Sequence, residues 1–213
     1  NGFSSGAYQL CEAENKNKNI TVDVGQVMFK PTVTISSDIL RQYSARNNAN
    51  PKKWIVSEIE DGGGGIIPYS YEKDNFVNAT QWLIGLEIFL LIKKPSQVFF
   101  TTDHPNGAPF TSYPHLIKLL MDRSFRNDIL RELPKDILNH TILHTIKREY
   151  TMSEIAIMTR SAPAKILGLS QKGNLSIGSD ADITIYDKNI KDIEGTQNVF
   201  NHRAKMNTLA AQG

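Results

Sequence analysis

An apolar helix that stops at a proline and hands over to a strand ending in a carboxylate most limits how this chain can fold. Residues 78–92 carry Trp82, Leu83, Ile84, Leu86, Ile88, Leu90 and Leu91 around most of the helical surface, with Gly85 among them. A helix apolar on both broad faces belongs in a core or against a partner subunit. Asn78 is placed to cap it, Lys93 and Lys94 suit the negative end of its dipole, and Pro95 stops it. Val98, Phe99, Phe100, Thr101 and Thr102 then give a strand over 97–102. Pro105, Asn106 and Gly107 dictate a tight loop. Asp103 and His104 therefore fall at the C-terminal lip of a strand, where α/β enzymes do their chemistry. Helix, short turn, strand and loop in this order are a β/α-unit signature, and the fold class is read as α/β. Asp-His-Pro-Asn-Gly is equally the composition of an ordinary surface turn, so the pattern leaves both roles open.

The flanking sequence is read more coarsely. Residues 1–19 have weak patterning, with a polar loop at 15–19. Ile20 to Val24 alternates as a strand ending at Asp23 and Gly25, and residues 27–29 continue it after a bend. Asp23 is a second carboxylate near a strand end, for which a turn role is preferred. Residues 30–53 carry little pattern beyond a short helix at 38–44, capped by Ser36 or Ser37. A short strand is read at 54–56 and a strand end at 66–69. The glycines at 62–65 match neither phosphate-loop spacing. Thr111 or Ser112 caps the next helix, with Pro114 in its first turn and Leu116, Leu119 and Leu120 as its apolar face. Residues 122–131 break and restart that helix, and Pro134 interrupts it. Residues 137–146 read as another helix holding His140 and His144. Thr151 and Glu154 have capping-box spacing, and Ile155, Met158, Ala162, Ile166 and Leu169 recur behind them, with a kink or restart at Pro163. From Gly173 the chain is glycine-punctuated, with a strand at 183–186 and a polar tail after Asn189.

Composition removes several function classes. A net charge of +2 gives no electrostatic case for nucleic acid or an anionic membrane. Cys11 is the single cysteine, which excludes a disulfide framework or a thiolate metal cluster within this chain. The opening residues have no signal-peptide character, and the apolar run 82–92 is too short to span a bilayer and contains Glu87. The expectation is a soluble, cytoplasmic protein with neither nucleic acid nor membrane as partner. No H-x-H or H-E-x-x-H motif occurs. His140 and His144 have ligand-competent spacing on a helix, but a solvated pair is the preferred reading, and His115 is read as structural.

The run from Thr101 to Pro114 resembles the A subunits of formylmethanofuran dehydrogenases, as do residues 20–29, 78–92 and 148–160. Residues 113–126 are most similar to the bacterial form, the A subunit of the formyltransferase/hydrolase complex of tetrahydromethanopterin-linked one-carbon metabolism. Gly173 to Tyr186 resembles the strand return near the end of many amidohydrolases. The resemblance covers most of residues 19–190. It implies the C-terminal part of an amidohydrolase-type (β/α)8 barrel over residues 1–170. Residues 171–213 would then be the strand return of a small β-rich domain and a tail. In the complete subunit it implies a binuclear divalent metal centre, with zinc the expected metal. Asp103 matches the aspartate of the last barrel strand, a metal contact and proton acceptor. His104 becomes a substrate contact or loop support, Asn106 a turn-holder and Gly107 a conformational requirement. The implied reaction is hydrolysis of the formamide of N-formylmethanofuran, or its methylofuran analogue, to formate and free amine, or its reverse.

The sequence also departs from that family. Its first histidine is His104, so the early-strand His pair and the bridging lysine are absent from this chain. The implied partners are therefore a missing N-terminal portion or sibling chain, together with other subunits of the formyltransferase/hydrolase or dehydrogenase complex. A catalytically silent scaffold is the competing reading. Another cyclic-amide amidohydrolase, such as a dihydroorotase-like enzyme, is the third.

Overall fold

The structure, a computed structural model, describes residues 4–36 and 65–183. Its organising unit is a parallel pair bridged by a buried helix. Strand β1 (Val22–Asp23) pairs in parallel with strand β4 (Val98–Phe99), in the register Val22 to Val98 and Asp23 to Phe99. Parallel neighbours need a crossover, and helix α2 (Phe76–Leu91) supplies it. Trp82, Leu83, Leu86, Phe89 and Leu90 of α2 are buried in one core with Met28, Val98, Phe100, Leu116 and Leu120. This α/β arrangement is what part of an α/β barrel requires. No helix among the described residues is long and apolar enough to cross a membrane.

The cap of α2 lies one turn earlier than the sequence suggests. The Asn75 side chain accepts from the backbone N–H of Val77 and Asn78, at 3.0 and 3.1 Å. Asn78 is instead buried inside the first turn, exchanging hydrogen bonds with the Tyr69 hydroxyl and accepting from Glu72 N. Gly85 makes room for the buried amide of Gln26, which donates to the carbonyls of Val27 and Trp82. A Cβ at Gly85 would stand 2.2 Å from Gln26 Oε1.

The ladder between β1 and β4 is shorter than the strands expected at 20–24 and 97–102. At one end the Gln97 side chain replaces backbone pairing, its amide donating to the carbonyls of Glu14, Asn17 and Ile20. At the other, Gln26 N donates to Thr101 O as the chain bends away. Residues 27–29 do not extend the strand; Met28 N donates to Gly107 O instead.

Two elements go unrecognised in the sequence. Helix α1 (Ser4–Lys16) packs on α2, where Asn15 bridges Leu91 O and Lys93 N and the Cys11 thiol meets Ile88 O. Strand β2 (Pro31–Ser36) pairs antiparallel with β3 (Gly65–Ser70), from Pro31 opposite Ser70 to Ser36 opposite Gly65. The expected strand end at 66–69 is thus a full strand, whereas the helix at 38–44, the strand at 54–56 and Gly62 to Gly64 lie outside the described residues.

After the Asp103 loop come helices α3 (Tyr113–Met121) and α4 (Arg123–Arg131), with the expected break between them. Asp122 caps α4 by accepting from Phe125 N. Ser112 holds the N-cap position of α3 without a capping bond from its hydroxyl. The helix read at 137–146 is not formed. Helix α5 (Lys135–Leu138) ends early, and only a 3-10 turn follows at Leu143–Thr145. The cause is the fully buried Glu87, whose Oε1 accepts from the Thr141 hydroxyl and Ile142 N and draws that segment out of helical geometry.

Helix α6 (Met152–Ala156) starts with the expected Thr151–Glu154 capping box. A π turn at Ile157–Ser161 then precedes helix α7 (Ala162–Ile166), with Pro163 in its first turn. The extra residue of a π turn rotates the apolar stripe. Ile155, Met158 and Ala162 are accordingly buried, whereas Ile166 and Leu169 are exposed. Residues 171–183 are turns and irregular chain; the strand expected at 183–186 lies, beyond Ile183, outside the described residues.

Candidate active site

The loop 101–108 closes on one carbonyl. Thr102 O accepts from both Gly107 N and Ala108 N, at 3.1 and 3.2 Å, while the Thr102 hydroxyl donates to Ala108 O. Thr102, Gly107 and Ala108 are buried, and Asp103, His104 and Pro105 stand exposed above them. Gly107 is enclosed by backbone: a Cβ there would lie 2.5 Å from Thr102 O and 3.0 Å from Gln26 O. Only glycine fits. Asp103 adopts a φ of 47°, a left-handed conformation that costs a non-glycine residue about 1 kcal/mol and that aspartate tolerates better than most. The closed ring of hydrogen bonds around Thr102 holds it there.

Three groups converge at the C-terminal ends of the parallel strands. Asp23, at the end of β1, accepts from the Thr101 hydroxyl and from Gly25 N. Asp103 follows β4, its Cβ only 3.5 Å from where a side chain at Gly25 would begin. His104 accepts from Phe110 N at its Nδ1 (3.1 Å), with the two rings edge to face at 5.3 Å. An accepting Nδ1 leaves Nε2 to carry the proton of the neutral ring. Asp23, Gly25, Thr101, Asp103, His104 and Tyr113 line a hollow of about 620 Å³. A second hollow of about 550 Å³ shares Asp23, Thr101 and Tyr113 with it and is walled mainly by apolar groups, including Phe99, Phe110 and Ile117, with Arg160 at its polar side. Asp23, read from sequence as a turn residue, is thus a wall of both.

Asn106 Nδ2 donates to Asp103 Oδ2 at 3.1 Å. Among the described residues, Asp103 Oδ1 has no hydrogen-bond partner. Tyr71 lies close by: burial first, then the charges of Tyr69 and Asp103, push its phenol up. Tyr71 and the β2 threonines described below escape the sequence reading because their approach to Asp103 depends on pairing between β2 and β3.

The other histidines are elsewhere. His115 lies within α3 against Phe125, and burial, reinforced by Lys30, Lys118 and Lys73, lowers its imidazole to about 4. It is a neutral ring at neutral pH. His140 packs edge to face on Phe76, while His144 is exposed in the 3-10 turn. They do not share a helical face, so the ligand-competent spacing is not realised.

Among the described residues no three His, Cys, Asp or Glu side chains converge as a metal-binding group. Asp103 suits one position in such a site, being an exposed carboxylate with one uncommitted oxygen. The remaining donors would have to come from outside the described residues.

Comparison with known proteins agrees with the α/β fold. The amidohydrolase family model matches residues 2–202. The A subunit of the formyltransferase/hydrolase complex (Fhc) of Methylorubrum extorquens is 48% identical over 185 residues, covering 87% of this chain and 34% of the relative. "Protein FwdA" of Methanocaldococcus jannaschii is 40% identical over 187 residues, covering 86% of this chain and 33% of the relative. The chain therefore spans about a third of the length of these curated relatives. The crystal structure of the Methylorubrum extorquens formyltransferase/hydrolase complex (FhcABCD) with methylofuran superposes with a TM-score of 0.72 at 47% identity. That match covers 87% of this chain and 34% of the matched one.

Proposed function

Because the chain belongs to the amidohydrolase family, we propose that it forms the C-terminal part of a hydrolase subunit within a formyltransferase/hydrolase-type complex. Its reaction is hydrolysis of the formamide of a formylated furan coenzyme, N-formylmethanofuran or its methylofuran analogue, or the reverse. The observation that carries the reading is Asp103. It is an exposed carboxylate at the C-terminal end of a parallel strand, one oxygen held by Asn106 and the other uncommitted among the described residues.

Asp103 acts as proton acceptor. Attack of water on the formyl carbon forms a C–O bond, and its proton passes to Asp103 Oδ1. The C–N bond then breaks, that proton goes to the leaving nitrogen, and formate and free amine result. A positioned general base contributes about 10²–10⁴-fold. A divalent metal centre, binuclear and of zinc in this proposal, supplies carbonyl polarisation and a lowered pKa for water when bound. Asp103 is the ligand this chain offers it, and the His and Lys ligands come from the upstream portion or a sibling chain. His104, with Nε2 as donor at the edge of the hollow, contacts substrate or supports the loop. Residues 1–170 are the barrel portion and 171–213 the strand return and tail. The assembled protein works in the cytoplasm beside other subunits of the complex.

The test is Asp103→Asn in the assembled complex. Formate release should fall by about 10²–10⁴-fold with subunit composition unchanged. Retention of full activity would end the proposal. The competing reading is a catalytically silent scaffold. That reading requires the natively purified assembly to lack both metal and hydrolase activity.

A further inference from the structure

Strand β2 presents Thr32 and Thr34 on one face, two residues apart, and both reach the Asp103 loop. The Thr32 hydroxyl donates to Pro105 O, and the Thr34 hydroxyl pairs with Asn106 Oδ1 at 3.2 Å. Asn106 in turn donates from Nδ2 to Asp103 Oδ2 at 3.1 Å. The direction of this chain is fixed chemically. An ionised carboxylate only accepts, so the amide must turn its NH2 to Asp103, and its oxygen then faces Thr34, which must donate.

We infer that Thr34 is a positioning residue for the hydrolysis, acting through the Asn106 amide to hold the Asp103 carboxylate with Oδ1 turned to the substrate. This rests on the reading of Asp103 as the proton acceptor and adds to it the arm that sets its rotation. A carboxylate free to rotate about its terminal torsion has a broad range of orientations. Fixing Oδ2 removes that freedom, and small misplacements of a reacting group lose large factors in rate. The antiparallel pair β2–β3 thus supports the Asn106 side chain from outside the 101–108 loop, whose own hydrogen bonds join Asn106 to Asp103 and Thr102 to Gly107 and Ala108.

The experiment is a double-mutant cycle in the assembled complex. Thr34→Val keeps size and strand preference but removes the hydroxyl; Asn106→Ala removes the amide. Thr34→Val should lower kcat about tenfold with KM within about twofold, since the hydroxyl acts on the reacting group rather than on binding. Thr34→Ser should recover most of the parental kcat. In the Asn106→Ala background, Thr34→Val should cost nothing further, because the relay is already broken. Unchanged kcat in Thr34→Val, no recovery with serine, or additive losses in the double variant would each overturn the relay. Thr34→Ala provides a second hydroxyl-free variant should the valine variant not assemble. Asp103→Asn, run alongside, separates the two claims. Full activity there defeats the proposed hydrolysis itself, whereas loss there with no effect at Thr34 defeats only the relay.

Discussion

Replacing Glu14 by Gln asks how the chain entering β1 is anchored. Glu14, on α1, is fully buried, and neither carboxylate oxygen has a hydrogen-bond partner among the described residues. Burial pushes its carboxyl from the usual 4.5 up to about 7. Among the described residues no positive group offsets this: burial, then Glu14 and Glu87, push the Cys11 thiol up to about 12 beside it. An acid with a raised folded value binds its proton more tightly in the folded protein. Its contribution to stability is therefore complete below pH 4.5 and lost as pH rises to about 7. At about 1.4 kcal/mol per pH unit the loss is about 3.5 kcal/mol at most, and about 2 kcal/mol after allowing for solvent screening. The amide does not titrate. Any constant offset it introduces cancels when two pH values are compared. Thermal unfolding should show the Tm of Glu14→Gln gaining on the parent by about 4–8 °C between roughly pH 4.5 and pH 8. His115 gives the opposite sign in the same assay. Its lowered imidazole, at about 4, contributes stability above pH 6.5 that is lost as pH falls towards 4. His115→Asn should therefore lose ground to the parent as pH rises from 4 to 6.5. A Tm difference for Glu14→Gln that stays constant with pH would refute the assignment of a protonated, desolvated carboxyl at this position.

Two further substitutions test the packing beneath the site. Gly107→Ala places a Cβ 2.5 Å from Thr102 O and 3.2 Å from Gly25 O, both backbone. The loop must open at a cost of about 2–3 kcal/mol, lowering Tm by about 4–12 °C, and a variant melting with the parent contradicts the enclosed geometry. Arg126→Met removes a fully buried guanidinium that donates to Leu119 O, Ile146 O and Arg148 O. Leaving those carbonyls unpartnered should cost about 3 kcal/mol, read as a lower urea midpoint, and an unchanged midpoint would show that water replaces the guanidinium without loss.

What the sequence discloses is what closes locally. Helix α2 is legible because its apolar surface, its stop at Pro95 and the strand behind it all lie within about thirty residues. The capping box at Thr151 and the restart at Asp122 are legible because each closes over three residues. The cap of α2 is misassigned because Asn75 and Asn78 are equally good capping residues, and only the Tyr69 hydroxyl and Glu72 N decide which one is drawn inward. Helix α1 is hidden for a different reason. Its docking rests on few apolar side chains, with Asn15 and Cys11 engaged at carbonyls 76 and 77 residues away.

The candidate site divides along the same line, and the division carries a consequence for its chemistry. Asp103, His104 and Gly107 are legible because a strand, a turn and a carboxylate adjoin in sequence. Thr34 is invisible there because it meets Asn106 across 72 residues, after β2 has paired with β3. A β-prone Thr-Val-Thr run has no local partner to identify its role, and contacts of such separation form only after the entropy of closing the loop has been overcome. On the proposed reading the reactive group is specified locally, while its orientation depends on the pairing of β2 with β3. Substitutions that weaken the hairpin without touching residues 101–108 should lower the rate before they lower the melting temperature of the α2 core. Loss of both in strict proportion across such a series would mean that Asp103 is oriented by its own loop alone.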